Sequence, residues 1–116
     1  MDIRALKSLI RVMESIDPHL TIQQVQVFLT VIGSDSLRDK GYVPLSEVVE
    51  RSGYTLAAVS RTCVAFGPHM KPNKRTPGLN LIERREDPEN NRKKNLFLTQ
   101  RGKLVRKQIQ EICDAD

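Results

Sequence analysis

The spacing of apolar residues predicts two helices of different character at the start of the chain. Residues 2–16 place apolar side chains at the 3-4-3 spacing of a coiled-coil seam, on Ile3, Leu6, Ile10 and Met13. Pro18 follows and breaks this helix. Thr21 and Gln24 then form a capping-box pattern ahead of residues 22–33, which are apolar nearly all round. The second helix is therefore predicted to be buried on most of its sides.

The middle of the chain carries the pattern of two short helices joined by a tight turn. A polar segment, 34–42, is predicted as a loop, and the PLSEVVERSG that follows it as a helix with apolar residues inward. Gly53 permits a sharp turn, and Thr55 is a favourable N-cap for a helix over 56–66. Two helices joined in this way are typical of a helix-turn-helix, with an ordinary helical hairpin as the alternative.

The second helix of this pair separates an apolar face from a face of small and polar side chains. The apolar face is predicted to comprise Leu56, Val59, Cys63 and Phe66. The opposite face is centred on Arg61, and the small side chains beside it would let the helix backbone approach DNA bases closely. The candidate recognition residues of this helix are Thr55, Ala57, Ala58, Ser60, Arg61 and Thr62.

Proline, glycine and charge mark residues 67–80 as a loop, and a hairpin follows. The loop has three prolines, two glycines and three basic residues, Lys71, Lys74 and Arg75. Two runs with strand character, LIERR and NLFLT, then flank a polar turn within residues 81–99. Thr99 is predicted to cap a last helix over 100–113, whose apolar stripe includes Val105, Ile109 and Ile112.

Length and charge indicate one domain, residues 1–116, with an anionic partner. The 19 basic and 14 acidic residues give a formal net charge of +5. From Arg84 to Lys107 there are nine basic residues and three acidic ones, which favours nucleic acid over a membrane surface. No apolar run reaches the length of a membrane span, and the N-terminus lacks the apolar centre of a signal peptide. A cytoplasmic protein without a membrane partner is the expectation.

The sequence contains no pattern of catalytic or metal-ligating residues. Cys63 and Cys113 have no Cys or His at ligand spacing, and His19 and His69 stand beside prolines in predicted loops. Two reduced cysteines on packed helix faces are expected, with a thiol sensor as the alternative. There is no Gly-rich phosphate loop, nucleophile elbow or pair of carboxylates in an apolar context. We therefore expect neither an enzyme nor a metal or cofactor site.

A helix-turn-helix followed by a basic two-stranded hairpin predicts a winged helix. In that fold the second helix enters the major groove, and the hairpin follows the backbone or enters the neighbouring minor groove. Asp87 is expected to pair with Arg92 and fix the shape of the hairpin, and Pro88 to stiffen its turn. The candidate residues of this wing are Arg84, Arg85, Asp87, Asn90, Asn91, Arg92, Lys93 and Lys94.

Three motifs of this sequence resemble the MarR-type (multiple antibiotic resistance regulator) family. They are LTIQQVQVFLTV (20–31), VPLSEVVERSGYTLAAVSR (43–61) and LIERREDPENNRKKNLFLTQRG (81–102). The resemblance implies a mainly α fold with a small β-hairpin, in which the N- and C-terminal helices of two subunits interlock. It also implies binding of pseudo-palindromic duplex DNA. The residues expected at the dimer interface are Ile3, Leu6, Ile10, Met13, Val105, Ile109 and Ile112.

The chain also departs from the pattern of this family. Ala57 and Ala58 stand where hydroxyl residues are usual, and the wing turn is one residue longer. The 67–80 segment lengthens the link between the second helix and the wing, and a single helix follows the wing where the family often has two. Many relatives bind small molecules. With five aromatic residues in the chain, no effector is predicted here.

Two classes of function are compatible with these patterns. The first is a dimeric transcriptional regulator that binds an operator and acts as a repressor. The second is a winged-helix interaction module, whose basic wing binds a protein or structured RNA. A role of DNA binding in replication or segregation is a further possibility that the patterns leave open.

Overall fold

The computed structural model of the chain describes residues 2–67, 78–90 and 92–115. These contain six helices and three strands: α1 (Ile3–Ile16), α2 (Ile22–Ile32), α3 (Asp35–Lys40), β1 (Val43–Pro44), α4 (Leu45–Ser52), α5 (Leu56–Phe66), β2 (Ile82–Glu86), β3 (Lys94–Leu98) and α6 (Gln100–Asp114). The predicted basic loop residues Lys71, Lys74 and Arg75, together with Asn91, lie outside the described residues. None of the helices described is both long and apolar enough to cross a membrane.

Local capping sets the start of the first two helices, and the cap of the second is the one that the sequence predicts. The Asp2 carboxylate accepts a hydrogen bond of 2.9 Å from the backbone N–H of Ala5, within the first turn of α1. The capping box at α2 is confirmed, because Thr21 and Gln24 each accept from the other's backbone N–H, at 2.9 and 3.0 Å. The middle of α2 is buried, and Phe28 there is completely inaccessible to solvent.

The prediction of a loop over residues 34–42 is wrong, because the segment contains the short helix α3. Ser34 caps this helix by accepting from the Ser36 N–H at 3.1 Å, and Gly41 ends it with a φ of +83°. A six-residue helix is too short to show an apolar period. The capping serine and the terminal glycine were the signals in the sequence that could have identified it.

A three-stranded antiparallel sheet replaces the two-stranded hairpin that the sequence predicts. The strand order is β1-β3-β2, and Val43 of β1 is paired with Leu96 of β3. The two longer strands are confirmed, each within one residue of its predicted position, with Ile82 opposite Leu98. β1 has only two residues, one of them a proline, so it carries no alternating pattern of its own.

The hydrophobic core joins all the longer helices to one face of the sheet. Phe28 of α2 and Phe66 of α5 meet at its centre, with ring centroids 5.7 Å apart. At the terminal helices, the side chains of Met13, Val105 and Ile109 are 4–5% exposed and belong to this core. These three residues therefore pack within one chain and are not available as a dimer surface, contrary to the sequence-based prediction.

Backbone hydrogen bonds join the end of α5 to the residues just before β2. The N–H groups of Leu79, Asn80 and Leu81 donate to the carbonyls of Ala65, Gly67 and Phe66 respectively, at 2.9–3.0 Å. The chain therefore resumes directly beside the end of α5. These bonds hold the start of β2 against the end of α5.

The beginning of α6 lies unusually close to the chain at Leu81. Thr99 caps the helix by accepting from the Gly102 N–H at 3.0 Å, and its own N–H donates to the Leu81 carbonyl at 3.1 Å. A Cβ atom at position 102 would lie 2.1 Å from the same carbonyl oxygen. Glycine is therefore required at this position by the close approach of two backbones.

The carboxylate of Glu47 ties α4 to the start of α3. Both of its oxygens accept hydrogen bonds from serine hydroxyls, Oε2 from Ser34 and Oε1 from Ser36, the latter at 2.7 Å. These bonds lower the pKa of Glu47 below its ordinary 4.5, with Ser34 as the largest cause and smaller contributions from Arg51 and Lys40. Burial acts in the opposite direction. Ser34 is itself 3% exposed, whereas the Glu47 side chain is 22% exposed, so the interaction lies at the edge of the core.

Replacing Gly102 with Ala is expected to destabilise the protein. An alanine ordinarily stabilises a helix by about 1 kcal/mol relative to glycine, but here the added methyl collides with a backbone carbonyl. We expect a net loss of about 1–3 kcal/mol in the free energy of unfolding, measured by urea denaturation. Lys103→Ala, at an exposed position in the same turn, is the control. A stabilised Gly102→Ala variant would contradict the described approach of α6 to Leu81.

Replacing Glu47 with Gln is expected to lower stability at pH 7 by about 1 kcal/mol, because two hydrogen bonds to a charged acceptor are weakened. The folded state lowers the pKa of Glu47, so the ionised form stabilises the protein above pH 4.5 and this contribution is lost as pH falls below it. The free energies of unfolding of wild type and Glu47→Gln should therefore converge in acid. Glu50→Gln, exposed on the same helix, is the control, and a constant difference at all pH values would exclude this origin.

Candidate nucleic-acid interface

The exposed face of α5 is smaller than the sequence predicts and is rotated from the predicted direction. Arg61, Ala57 and Thr55 are exposed and Ser60 is half-buried, as expected. Ala58 and Thr62, also predicted on this face, are buried, and the Thr62 hydroxyl donates to the Ala58 carbonyl at 3.0 Å. These two residues are therefore removed from the candidate interface.

The rotation of α5 also exposes one residue that the sequence places inside. Leu56, predicted on the apolar face, is 59% exposed. Val64, which was not assigned to that face, is 43% exposed. Leu56 is the first residue of the helix and lies beyond the core formed around Phe66. The direction of the buried face is set by the neighbouring helices and strands, and single-helix periodicity does not contain that information.

The turn of the wing is held by the carboxylate of Asp87. Here "the wing" means β2, β3 and the turn 87–93 between them. The Asp87 carboxylate accepts from the Glu89 N–H at 2.9 Å and from the Asn95 side-chain amide at 3.5 Å. Its pKa is lowered, chiefly by the bond from Glu89. The predicted Asp87–Arg92 ion pair is absent among the described residues, because the carboxylate already accepts within its own turn.

The basic residues of the wing strands have partners within the chain. Lys94 donates from Nζ to Glu86 Oε1 across the hairpin at 2.8 Å. Arg85 is paired with Glu83 at 2.9 Å, and its guanidinium lies 4.4 Å from the centre of the Phe97 ring. The hydrogen bond that Arg85 donates to the Glu83 carboxylate raises the pKa of Arg85. Much of the positive charge on the strands is therefore balanced locally.

The turn of the wing presents its positive charge to solvent. Arg92 and Lys93 are exposed, and neither forms an ion pair with another described residue. Asn90, also a predicted wing residue, is exposed and accepts from the Arg92 N–H at 3.1 Å. Arg92 and Lys93 are consequently the wing residues best placed to meet an anionic partner.

One hydrogen bond connects the wing directly to the exposed face of α5. Arg84 of β2 donates from Nη1 to the hydroxyl of Ser60 at 2.9 Å. Because β2 and α5 are separated by a long segment of sequence, no local pattern indicates this contact. It places a cationic side chain at the border between the helix and the wing.

A second exposed surface lies on the terminal helices. Of the predicted dimer residues, Ile3, Leu6 and Ile10 are exposed by 82%, 47% and 59%, and Ile112 is half-buried. Leu104 of α6, which the sequence analysis did not include among the candidates, is 57% exposed. Large apolar side chains exposed together on a monomer are typical of a surface that another chain covers.

The two cysteines lie in different surroundings. Burial raises the pKa of the Cys63 thiol to about 11, which suppresses the thiolate needed for oxidation or metal binding. Cys113 is exposed near the end of α6. Among the described residues, no three His, Cys, Asp or Glu side chains are grouped to hold a metal ion.

Comparison with solved structures identifies the fold. The chain is similar to YusO of Bacillus subtilis (TM-score 0.62, 21% identity, 97% of this chain and 67% of YusO) and to RV1404 of Mycobacterium tuberculosis (TM-score 0.62, 21% identity, 92% of this chain and 62% of RV1404). It is also similar to BpsR of Bordetella bronchiseptica, solved to explain how 6-hydroxynicotinic acid regulates its DNA binding (TM-score 0.57, 21% identity, 96% and 74% of the chains).

These similarities show that the chain has a winged helix-turn-helix fold with additional N- and C-terminal helices. No protein-family model matches the sequence, and no curated protein matches it. The chain spans about two thirds of the length of the first two structures. At this level of identity the likeness concerns the fold alone.

Proposed function

We propose that the chain is a DNA-binding transcriptional regulator of the MarR type. In this proposal α5 enters the major groove and the wing follows the neighbouring backbone or minor groove. The observation that carries the proposal is the hydrogen bond between Arg84 of the wing and Ser60 of α5. It joins the two elements that a winged helix uses to contact a duplex, and it adds a cation at their junction.

The distribution of side chains on these two elements suits a duplex. Ala57 and Ser60 are small and allow close approach of α5, while Arg61 is long enough to pair with a guanine or a phosphate. Arg92 and Lys93 supply positive charge at the turn of the wing. BpsR, whose DNA binding is regulated by a small molecule, has a similar fold and supports this class of partner.

The proposed active form is a homodimer that recognises an inverted repeat and represses transcription by covering a promoter. The exposed apolar side chains of Ile3, Leu6, Ile10 and Leu104 are the proposed contacts between subunits. They lie on α1 and α6, which contact each other and contribute Met13, Val105 and Ile109 to the core of the chain. This helix pair would thus present the interface.

Selection of bound sequences from a random duplex pool tests the proposal as a whole. Recovery of an inverted repeat would support both sequence readout and dimer symmetry. If about six to ten phosphates are contacted, affinity should fall by roughly 10³–10⁵ between 50 and 200 mM salt. Binding of a protein or structured RNA without duplex binding would instead support the interaction-module alternative.

Arg61→Ala is expected to weaken operator binding by about 1–3 kcal/mol and to relax sequence preference at one position of each half-site. Arg61 is exposed, so the free energy of unfolding should change by less than about 0.5 kcal/mol. Arg11→Ala, an exposed arginine on α1, is the matched control for loss of charge. Titrations of a labelled duplex, monitored by fluorescence anisotropy, measure the affinity of both variants. Full binding by Arg61→Ala would exclude α5 from the groove.

Ile10→Glu is expected to convert the dimer to a monomer without unfolding it. The side chain is 59% exposed in a single chain, whereas a dimer would bury the new charge without a partner at a cost of several kcal/mol. Sedimentation velocity measures the mass, and circular dichroism reports the fold. Ser8→Glu, exposed on the opposite flank of α1, should remain dimeric. A dimeric Ile10→Glu variant would place the interface elsewhere.

A further inference from the structure

A cleft of about 430 Å³ separates the turn of the wing from the ends of the helices beside it. One wall is formed by the wing turn, including Arg92 and Lys93, and the other by Lys40 at the end of α3 and Ser46 in the first turn of α4. Leu56, the first residue of α5, also lines it. The cleft is therefore bordered by three separate parts of the chain, which only the tertiary structure brings together.

The lining of the cleft is strongly cationic. Lys40, Arg92, Lys93 and Lys94 contribute four positive charges, and Asp87 contributes the single negative one. Lys94 is paired with Glu86, and the Asp87 carboxylate is engaged in the wing turn. Lys40 forms no ion pair with another described residue.

The Glu47 carboxylate interacts electrostatically with Lys40 but already accepts other hydrogen bonds. Lys40 contributes to the lowered pKa of Glu47, so the two charges interact, but both Glu47 oxygens accept from serine hydroxyls. No side chain caps the N-terminus of α4, whose first N–H groups add a partial positive charge beside Ser46. That partial charge only supplements the lysine and arginine side chains, which make the cleft a site for an anion.

The position of the cleft indicates which anion it takes. Adjacent major and minor grooves are separated by a sugar–phosphate strand, so a protein with a helix in one and a wing in the next must accommodate that strand between them. The cleft lies between the start of α5 and the turn of the wing. A phosphodiester is also a match in chemistry, because it is a singly charged anion that lysine and arginine bind well.

We infer that this cleft binds one backbone phosphate of duplex DNA and that Lys40 is a contact residue for it. The inference rests on the proposed function and extends it, because Lys40 belongs to neither the helix-turn-helix nor the wing. A phosphate contact supplies affinity and register but carries no sequence information. Lys40 is thus assigned to affinity, in contrast to Arg61.

Lys40→Gln tests the assignment in the whole 116-residue chain. It should weaken binding to all duplexes by a similar factor and reduce the slope of log affinity against log salt by about one unit. Arg38→Gln removes the same charge from the same helix, but Arg38 does not line the cleft and is paired with Asp35 at 3.4 Å. Equal losses in the two variants would show a general charge effect and overturn the assignment.

A scan of the duplex with single neutral methylphosphonates locates the contact. Wild type should lose affinity at one backbone position in each half-site, and Lys40→Gln should show little additional loss at that position because the partner is already absent. The same scan with Arg38→Gln should retain the loss. If the loss from Lys40→Gln and the loss from the methylphosphonate add at every position, a phosphate contact by Lys40 is excluded.

The failure of this inference differs from failure of the proposed function. If wild type and Lys40→Gln bind a selected duplex with the same affinity and the same salt slope, the role of Lys40 is refuted and the regulator proposal stays intact. Wild type that binds no duplex would refute both. If inorganic phosphate alone then shifts the NMR signals of Lys40 and Ser46, the cleft takes a free anion and the DNA assignment is wrong.

Discussion

The burial of Phe66 at the end of α5 is the constraint on which the rest of the structure depends. Its ring packs against Phe28 of α2 in the centre of the core, and its carbonyl accepts the N–H of Leu81 just before β2. One residue thereby sets the rotation of α5 about its axis and the point where the wing begins. Because interiors are close-packed, α5 could not turn to expose different residues without opening this core.

The rotation of α5 has direct consequences for the proposed interface. With Val59, Cys63 and Phe66 buried, Ala57, Ser60 and Arg61 face outward, and Ser60 comes within hydrogen-bond distance of Arg84. The polar contact between α5 and the wing is therefore a product of core packing. The same packing presents small outward side chains and a cationic border, which are the features that the proposed duplex contact uses.

The charged residues of the wing strands are balanced differently from those around the cleft. On the strands, Arg85 and Lys94 are matched by Glu83 and Glu86, so the sheet does not accumulate repulsion. Around the cleft, by contrast, four cations stand against one acid. Such an arrangement limits repulsion within the hairpin, and binding of the proposed anionic partner would depend strongly on salt.

The sequence by itself determined the helices with long apolar periods, the capping box at Thr21, the two longer strands and the winged-helix class. These depend on local periodicity and turn chemistry, which are present in short stretches of sequence. Only the tertiary structure decided that Leu56 is exposed, that Thr62 is buried and that Val105 belongs to the chain's own core. It alone also paired Arg84 with Ser60 and brought Lys40 beside the wing, because these contacts join segments far apart in sequence, where no local pattern records which surfaces will meet.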